Sequence, residues 1–274
     1  MPQATGLQAV VEHCAPYWAG EYAVAHRYFT SGRRTQQSET RWLELQMFKE
    51  WTGSGVYGDR SVTVTGVVQK GLDALRKIEA GGAVEQLGSI SELLQFGLDE
   101  FNHFRMLYEL YRRVAPERQV AIADMGGLPE ARRLVEMRYQ YREQEPLGDV
   151  IVDLTEGGGL GMYFGISHAF EELGVGGKED ELVLAFARAT VRDETEHMSH
   201  RFRNAAGLDL TAEQWTRVER GLLSLFTQKL RERNQQFGDV FTQPELDEKA
   251  ADLDAGRRYV ERNLSFLSAH LQAA

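Results

Sequence analysis

The chain has one cysteine, Cys14, among 274 residues, so it can form no intramolecular disulfide and no cysteine-built zinc or iron–sulfur centre. It also lacks any apolar run of the ~18 residues that a membrane span requires. The opening Met1-Pro2-Gln3-Ala4 has neither the charged nor the apolar region of a signal peptide. A cytoplasmic location with no membrane partner is therefore expected. Positive charge is scarce, with 31 Lys and Arg against 41 Asp and Glu, a formal net charge of −10, and no long basic tract. Duplex nucleic acid is not an expected partner, because its affinity for protein comes chiefly from neutralised phosphates. The short pairs Arg33-Arg34 and Arg132-Arg133 read as solvated helix ends, with contact to an anionic carrier or a coenzyme phosphate as the alternative. No Gly-rich dinucleotide fingerprint is present, and no alternating Val/Ile pattern bounded by hairpin turns suggests a strand.

What is present is helical periodicity, which predicts an all-α fold. The apolar spacing places helices at about 8–30, 37–52, 61–80, 90–114, 129–144, 147–173, 179–205, 212–237 and 244–272. Glycine-rich breaks at Thr52-Gly53-Ser54-Gly55, Ala80-Gly81-Gly82, Met125-Gly126-Gly127 and 174–178 provide the connections. The segment 115–146, with Pro116, Pro129 and Pro146, reads as a longer crossover between two halves of a bundle. Residues 1–274 are expected to form a single domain. Its core would lie at about 37–205, and the additional helices at about 212–272 would cover that core or form an oligomer contact, as in a homodimer.

Two related words stand out: Asp99-Glu100-Phe101-Asn102-His103 and Asp193-Glu194-Thr195-Glu196-His197. Residues three apart share one helix face, so each Glu and His can reach one ion from a rigid support. In the first helix Leu93, Phe96, Phe104, Leu107 and Tyr111 form an apolar stripe that contains Glu100 and borders His103. In the second, Leu182, Val183, Phe186, Ala187 and Met198 mark a buried side shared by Glu194 and His197. A carboxylate among phenylalanines is costly unless a cation compensates it. Glu100, His103, Glu194 and His197 are thus candidate metal ligands. Asp99 and Asp193 are candidate acceptors for the free N–H of a metal-bound imidazole, on their own or the facing helix. His200, one turn beyond His197, reads as an ordinary helix residue.

Two further carboxylates are needed. Glu156, in the strongly apolar segment before the second word, is the first choice, ahead of Asp153. It is followed by Gly157, Gly158, Gly159 and Gly161, which cost a helix roughly 1 kcal/mol each. Those glycines indicate either close helix packing or space beside a metal for substrate or oxygen. In the segment 37–51, Leu43, Met47, Phe48 and Trp51 surround Glu44 on a helical wheel, whereas Glu39 and Glu50 lie to one side, so Glu44 is the expected fourth-helix ligand. Its long separation from Glu100 implies an inserted helix between the two. Phe104, Met106, Tyr163, Phe164 and Met198 read as core residues.

With these motifs the region from about Glu44 to His200 resembles the ferritin-like di-iron carboxylate superfamily, and in particular its oxygen-activating branch of monooxygenase hydroxylases, acyl-carrier-protein desaturases and ribonucleotide reductase small subunits. The resemblance implies a four-helix bundle with a di-metal core of two Fe ions, with Mn or a mixed Mn/Fe pair suiting the same donors, and O2 as co-substrate. It implies a non-haem di-iron oxygenase or oxidase that hydroxylates, desaturates or N-oxygenates a small-molecule or carrier-bound organic substrate. Electrons would come from a separate reductase or ferredoxin. A ferroxidase or iron-handling protein and a manganese catalase-type enzyme are the alternatives. Arylamine N-oxygenases of the superfamily carry a third histidine one turn before the second word; here that place is Thr190.

Overall fold

The computed structural model describes residues 6–52, 64–81, 84–121, 127–155 and 159–267. Among the described residues the chain forms eleven α-helices and no strand. They are α1 (Leu7–Thr30), α2 (Gln36–Thr52), α3 (Val64–Glu79), α4 (Leu87–Val114), α5 (Pro129–Gln144), α6 (Gly148–Asp153), α7 (Gly159–Leu173), α8 (Lys178–Ala206), α9 (Ala212–Gln236), α10 (Gln243–Ala251) and α11 (Leu253–Asn263). None of them is long and apolar enough to cross a membrane.

Helix boundaries follow local chemistry. Thr211 and Thr242 each form a reciprocal capping box, with Gln214 and Glu245, and start α9 and α10. Asp252 ends α10 and caps α11 by accepting from the Ala255 N–H, so the helix expected over 244–272 is broken there. The helix expected over 147–173 is described in two pieces, α6 to Asp153 and α7 from Gly159, with 156–158 outside the described residues. The Thr155 carbonyl accepts from Lys229 Nζ at 3.0 Å. The Thr155 hydroxyl donates to the Val152 carbonyl at 2.6 Å.

Helix α2 packs on α4, α4 on α8, and α8 on α7, while the Gln46 to Tyr163 hydrogen bond links α2 to α7. Helix α3 is the inserted element between α2 and α4, and it lies against α4. Helix α1 packs on α7, α9 and α11. Two apolar clusters fill the interior, one around Trp42, Leu107, Phe170 and Phe186, the other around Trp18, Phe202, Leu222 and Phe226. Helices α1 and α9 contribute to both, making the interior continuous.

Two glycines on α7 are packing residues. A Cβ at Gly161 would lie 2.5 Å from the Trp18 carbonyl oxygen, and one at Gly165 would lie 2.5 Å from that of Tyr22. Gly159 meets nothing within 4 Å, and Gly157 and Gly158 lie outside the described residues. Gly165→Ala is accordingly expected to destabilise the protein by about 1–3 kcal/mol through forced separation of α1 and α7. Gly159→Ala should be neutral or slightly stabilising, a contrast that chemical denaturation reads directly.

Candidate metal centre

The two Asp-Glu-x-x-His words face each other across the α4–α8 contact, and each imidazole is paired with the aspartate of the opposite helix. His103 Nε2 lies 3.1 Å from Asp193 Oδ2, and His197 Nε2 lies 3.5 Å from Asp99 Oδ2. This cross-pairing resolves the open question of which helix each aspartate serves. It also sets the chemistry of the rings. With Nε2 of His103 turned to the Asp193 carboxylate, its Nδ1 is the ring nitrogen that faces Glu50.

At the His103 end, Glu50, Glu100 and His103 each bring one ligand atom within 4.8 Å of the others. His103 Nδ1 and Glu50 Oε2 lie 3.3 Å apart, but without the alignment of a hydrogen bond. An imidazole nitrogen and two carboxylate oxygens converging this closely are a donor set that fits a metal ion. At the other end His197 Nδ1 lies 3.9 Å from Glu194 Oε2, the i,i+3 spacing having put both on one face of α8. The ends differ in exposure. His103 and Glu50 side chains are 1% and 5% exposed, whereas His197 and Glu194 are 19% and 14% exposed.

No protein-family model, curated protein or solved structure matches this chain.

Of the sequence-derived ligands, the structure brings together Glu100 and His103, and Glu194 and His197, with Asp99 and Asp193 against the imidazoles. Glu156 lies outside the described residues. Its competitor Asp153 is engaged by Arg142 at 2.8 Å and Arg201 at 3.4 Å. Glu44 does not join the cluster: it sits at the rim, 35% exposed, accepting from the Tyr111 hydroxyl at 2.7 Å and pairing with Arg118 at 3.3 Å. The carboxylate that α2 does deliver is Glu50, one of the two acids that the apolar wheel set aside. The physical reason is that the face of α2 turned to the site is polar. Glu39, Leu43, Gln46 and Glu50, at helical spacings of four, three and four, are all buried. Leu43 and Met47 of the apolar stripe are buried as well, so the stripe alone does not single out the carboxylate that reaches the site. The readable signal was the i,i+4 pair Gln46 and Glu50 in the same register as Leu43.

Tyr163, a core residue by sequence, also makes polar contacts with α2. Its hydroxyl donates to Glu50 Oε1 at 3.2 Å and accepts from Gln46 Nε2 at 3.0 Å. Burial, and then the carboxylates of Glu50 and Glu194, push its pKa well up, so it stays a neutral phenol.

Burial alone would lower the His103 pKa, but Glu50, Glu194 and Asp193 outweigh it and raise it to about 9. Burial alone would likewise raise the Glu50 carboxyl, yet His103 holds it below its ordinary value. A histidine whose folded pKa lies above its unfolded one contributes stability in full below about pH 6.5 and loses it as pH rises through about 9. The metal-free protein is thus expected to lose melting temperature between those limits. Metal affinity should rise over the same interval, because the ion must displace the Nδ1 proton. Melting curves of the apo protein and metal titrations across pH 6 to pH 9.5 measure both signs, and His103→Gln should flatten both slopes.

Proposed function

We propose that this protein is a non-haem di-iron oxygenase or oxidase built on a ferritin-like four-helix core of α2, α4, α7 and α8. The observation that carries the reading is the reciprocal pairing of the two Glu-x-x-His histidines with the aspartates of the facing helix, with His103 Nδ1 beside Glu50 and His197 Nδ1 beside Glu194. Glu50, Glu100 and His103 would hold one ion, and Glu194 and His197 the other. Mixed carboxylate and imidazole donors suit iron, and also manganese. Bound iron would supply the electron transfer that activates O2. In hydroxylation, desaturation and N-oxygenation alike, O2 takes up four electrons, two from the organic substrate and two from a donor. With one cysteine in the chain, that donor is a separate reductase or ferredoxin.

The chain's own residues have distinct tasks in this scheme. Asp193 and Asp99 fix the tautomer and the ring orientation of His103 and His197. Phe186, edge-on to both His103 and Tyr163, excludes water from the deep end. The Glu194 and His197 end, where Phe96 packs 5.2 Å from the His197 ring, is the more exposed and the side from which a substrate would approach.

The deciding experiment is anaerobic loading with Fe(II), followed by metal analysis, the optical spectrum after O2 exposure, and O2 uptake with and without candidate organic substrates. About two irons per chain and O2 uptake coupled to substrate oxidation are expected. Turnover of added Fe(II) into a mineral core would assign a ferroxidase, peroxide dismutation by the manganese form alone would assign a catalase-type enzyme, and a single tetrahedral zinc would remove the di-metal reading.

A further inference from the structure

A buried polar chain extends from the metal centre to α9, a helix outside the four that surround it. Arg233, 3% exposed, is anchored through Nε to Glu21 Oε2 at 3.3 Å, and Glu21 is itself fully buried. Its Nη1 donates to Gln46 Oε1 at 3.4 Å, and Gln236 Nε2 donates to the same oxygen at 2.9 Å. A guanidinium has no acceptor, so the Gln46 amide can turn only its oxygen toward Arg233. The amide nitrogen is thereby committed to the opposite side, where it donates to Glu50 Oε1 at 2.6 Å and to the Tyr163 hydroxyl at 3.0 Å. Tyr163 donates to that same Glu50 oxygen at 3.2 Å. With Oε1 held by two donors, Glu50 presents Oε2 alone toward His103 Nδ1.

We infer that Gln46, oriented by Arg233, is the positioning residue that makes Glu50 a one-oxygen metal ligand through Oε2. The inference rests on the metal reading above and adds to it a specific line of control from α9. Neither Gln46 nor Arg233 touches the ion in this arrangement. Their effect is on which carboxylate oxygen is available and where it points, and partners of this kind typically change metal affinity by about 10–100-fold.

The test uses Mn(II) alone as the probe, titrated into the full-length metal-free protein and followed by calorimetry and by electron paramagnetic resonance. Gln46→Met keeps the length and helix propensity of the side chain while removing the donor. One Mn(II) equivalent is expected to weaken by about fivefold or more, with the other retained. A smaller change, or equal weakening of both equivalents as a general loosening of the fold would cause, overturns the proposal. Should Gln46→Met fail to fold by circular dichroism, Arg233→Lys decides by the same thresholds, since it preserves the buried charge opposite Glu21 but removes the fork that orients Gln46. His103→Ala, titrated alongside, separates the two levels of the argument. If it too binds two Mn(II) with wild-type affinity, the metal reading itself fails; if it loses them while Gln46→Met does not, only the positioning role is lost.

Discussion

His103→Ala is expected to reduce metal binding from about two ions per chain to fewer than one after reconstitution with Fe(II), and to abolish O2-dependent oxidation. The side chain is 1% exposed, its Nδ1 faces Glu50 and Glu100, and its Nε2 is tied to Asp193 at 3.1 Å, so no neighbouring group can replace it. The substitution also strands Glu50 without its cationic neighbour. Breaking a buried pair in this way costs on the order of 3–5 kcal/mol, so the variant should melt lower as well. His103→Gln retains a polar group and should recover part of the stability but not the metals. His168→Ala is the control. That imidazole lies 3.3 Å from the Tyr22 hydroxyl, in the packing between α1 and α7, and its loss should leave two metals bound. Unchanged stoichiometry in His103→Ala would refute the site.

Glu50→Ala and Glu44→Ala, only six positions apart on one helix, should behave in opposite ways. Glu50→Ala removes a buried donor and should lose at least one metal together with O2 reactivity, while releasing the Tyr163 hydroxyl and the Gln46 amide from their shared acceptor. The His103 pKa should fall as well, because Glu50 is the strongest of the groups that raise it. Glu44→Ala removes a rim contact with Arg118 and Tyr111 and should cost no more than ~1 kcal/mol, with metal content intact. Metal analysis of the two purified variants, paired with their melting temperatures, gives the comparison. Loss of metal in Glu44→Ala with retention in Glu50→Ala would restore the apolar wheel and overturn the geometry described above.

The all-helical architecture, the inserted helix α3 and the facing of two Glu-x-x-His words were legible in the sequence, because helical periodicity and i,i+3 spacing are local properties that survive whatever the helices pack against. Three features depended on tertiary structure. Beyond the end of α6 at Asp153, the Thr155 carbonyl is met by Lys229, on a helix distant in sequence. The role of Gly161 follows from the backbone of α1 lying where its Cβ would be, a contact that no window around residue 161 contains. The choice of Glu50 over Glu44 followed from α2 burying polar residues beside its apolar stripe, of which Leu43 and Met47 are also in the core. Here the interior face of α2 is lined by Gln46 and Glu50, because Arg233, Tyr163 and His103 arrive from three other helices to satisfy them. Local sequence alone determined that Glu100 and His103, and Glu194 and His197, share one face of their own helices. Tertiary structure decided which polar face was inside, because burial of a charged side chain is set by the partners that compensate it, and those partners are far away in the chain.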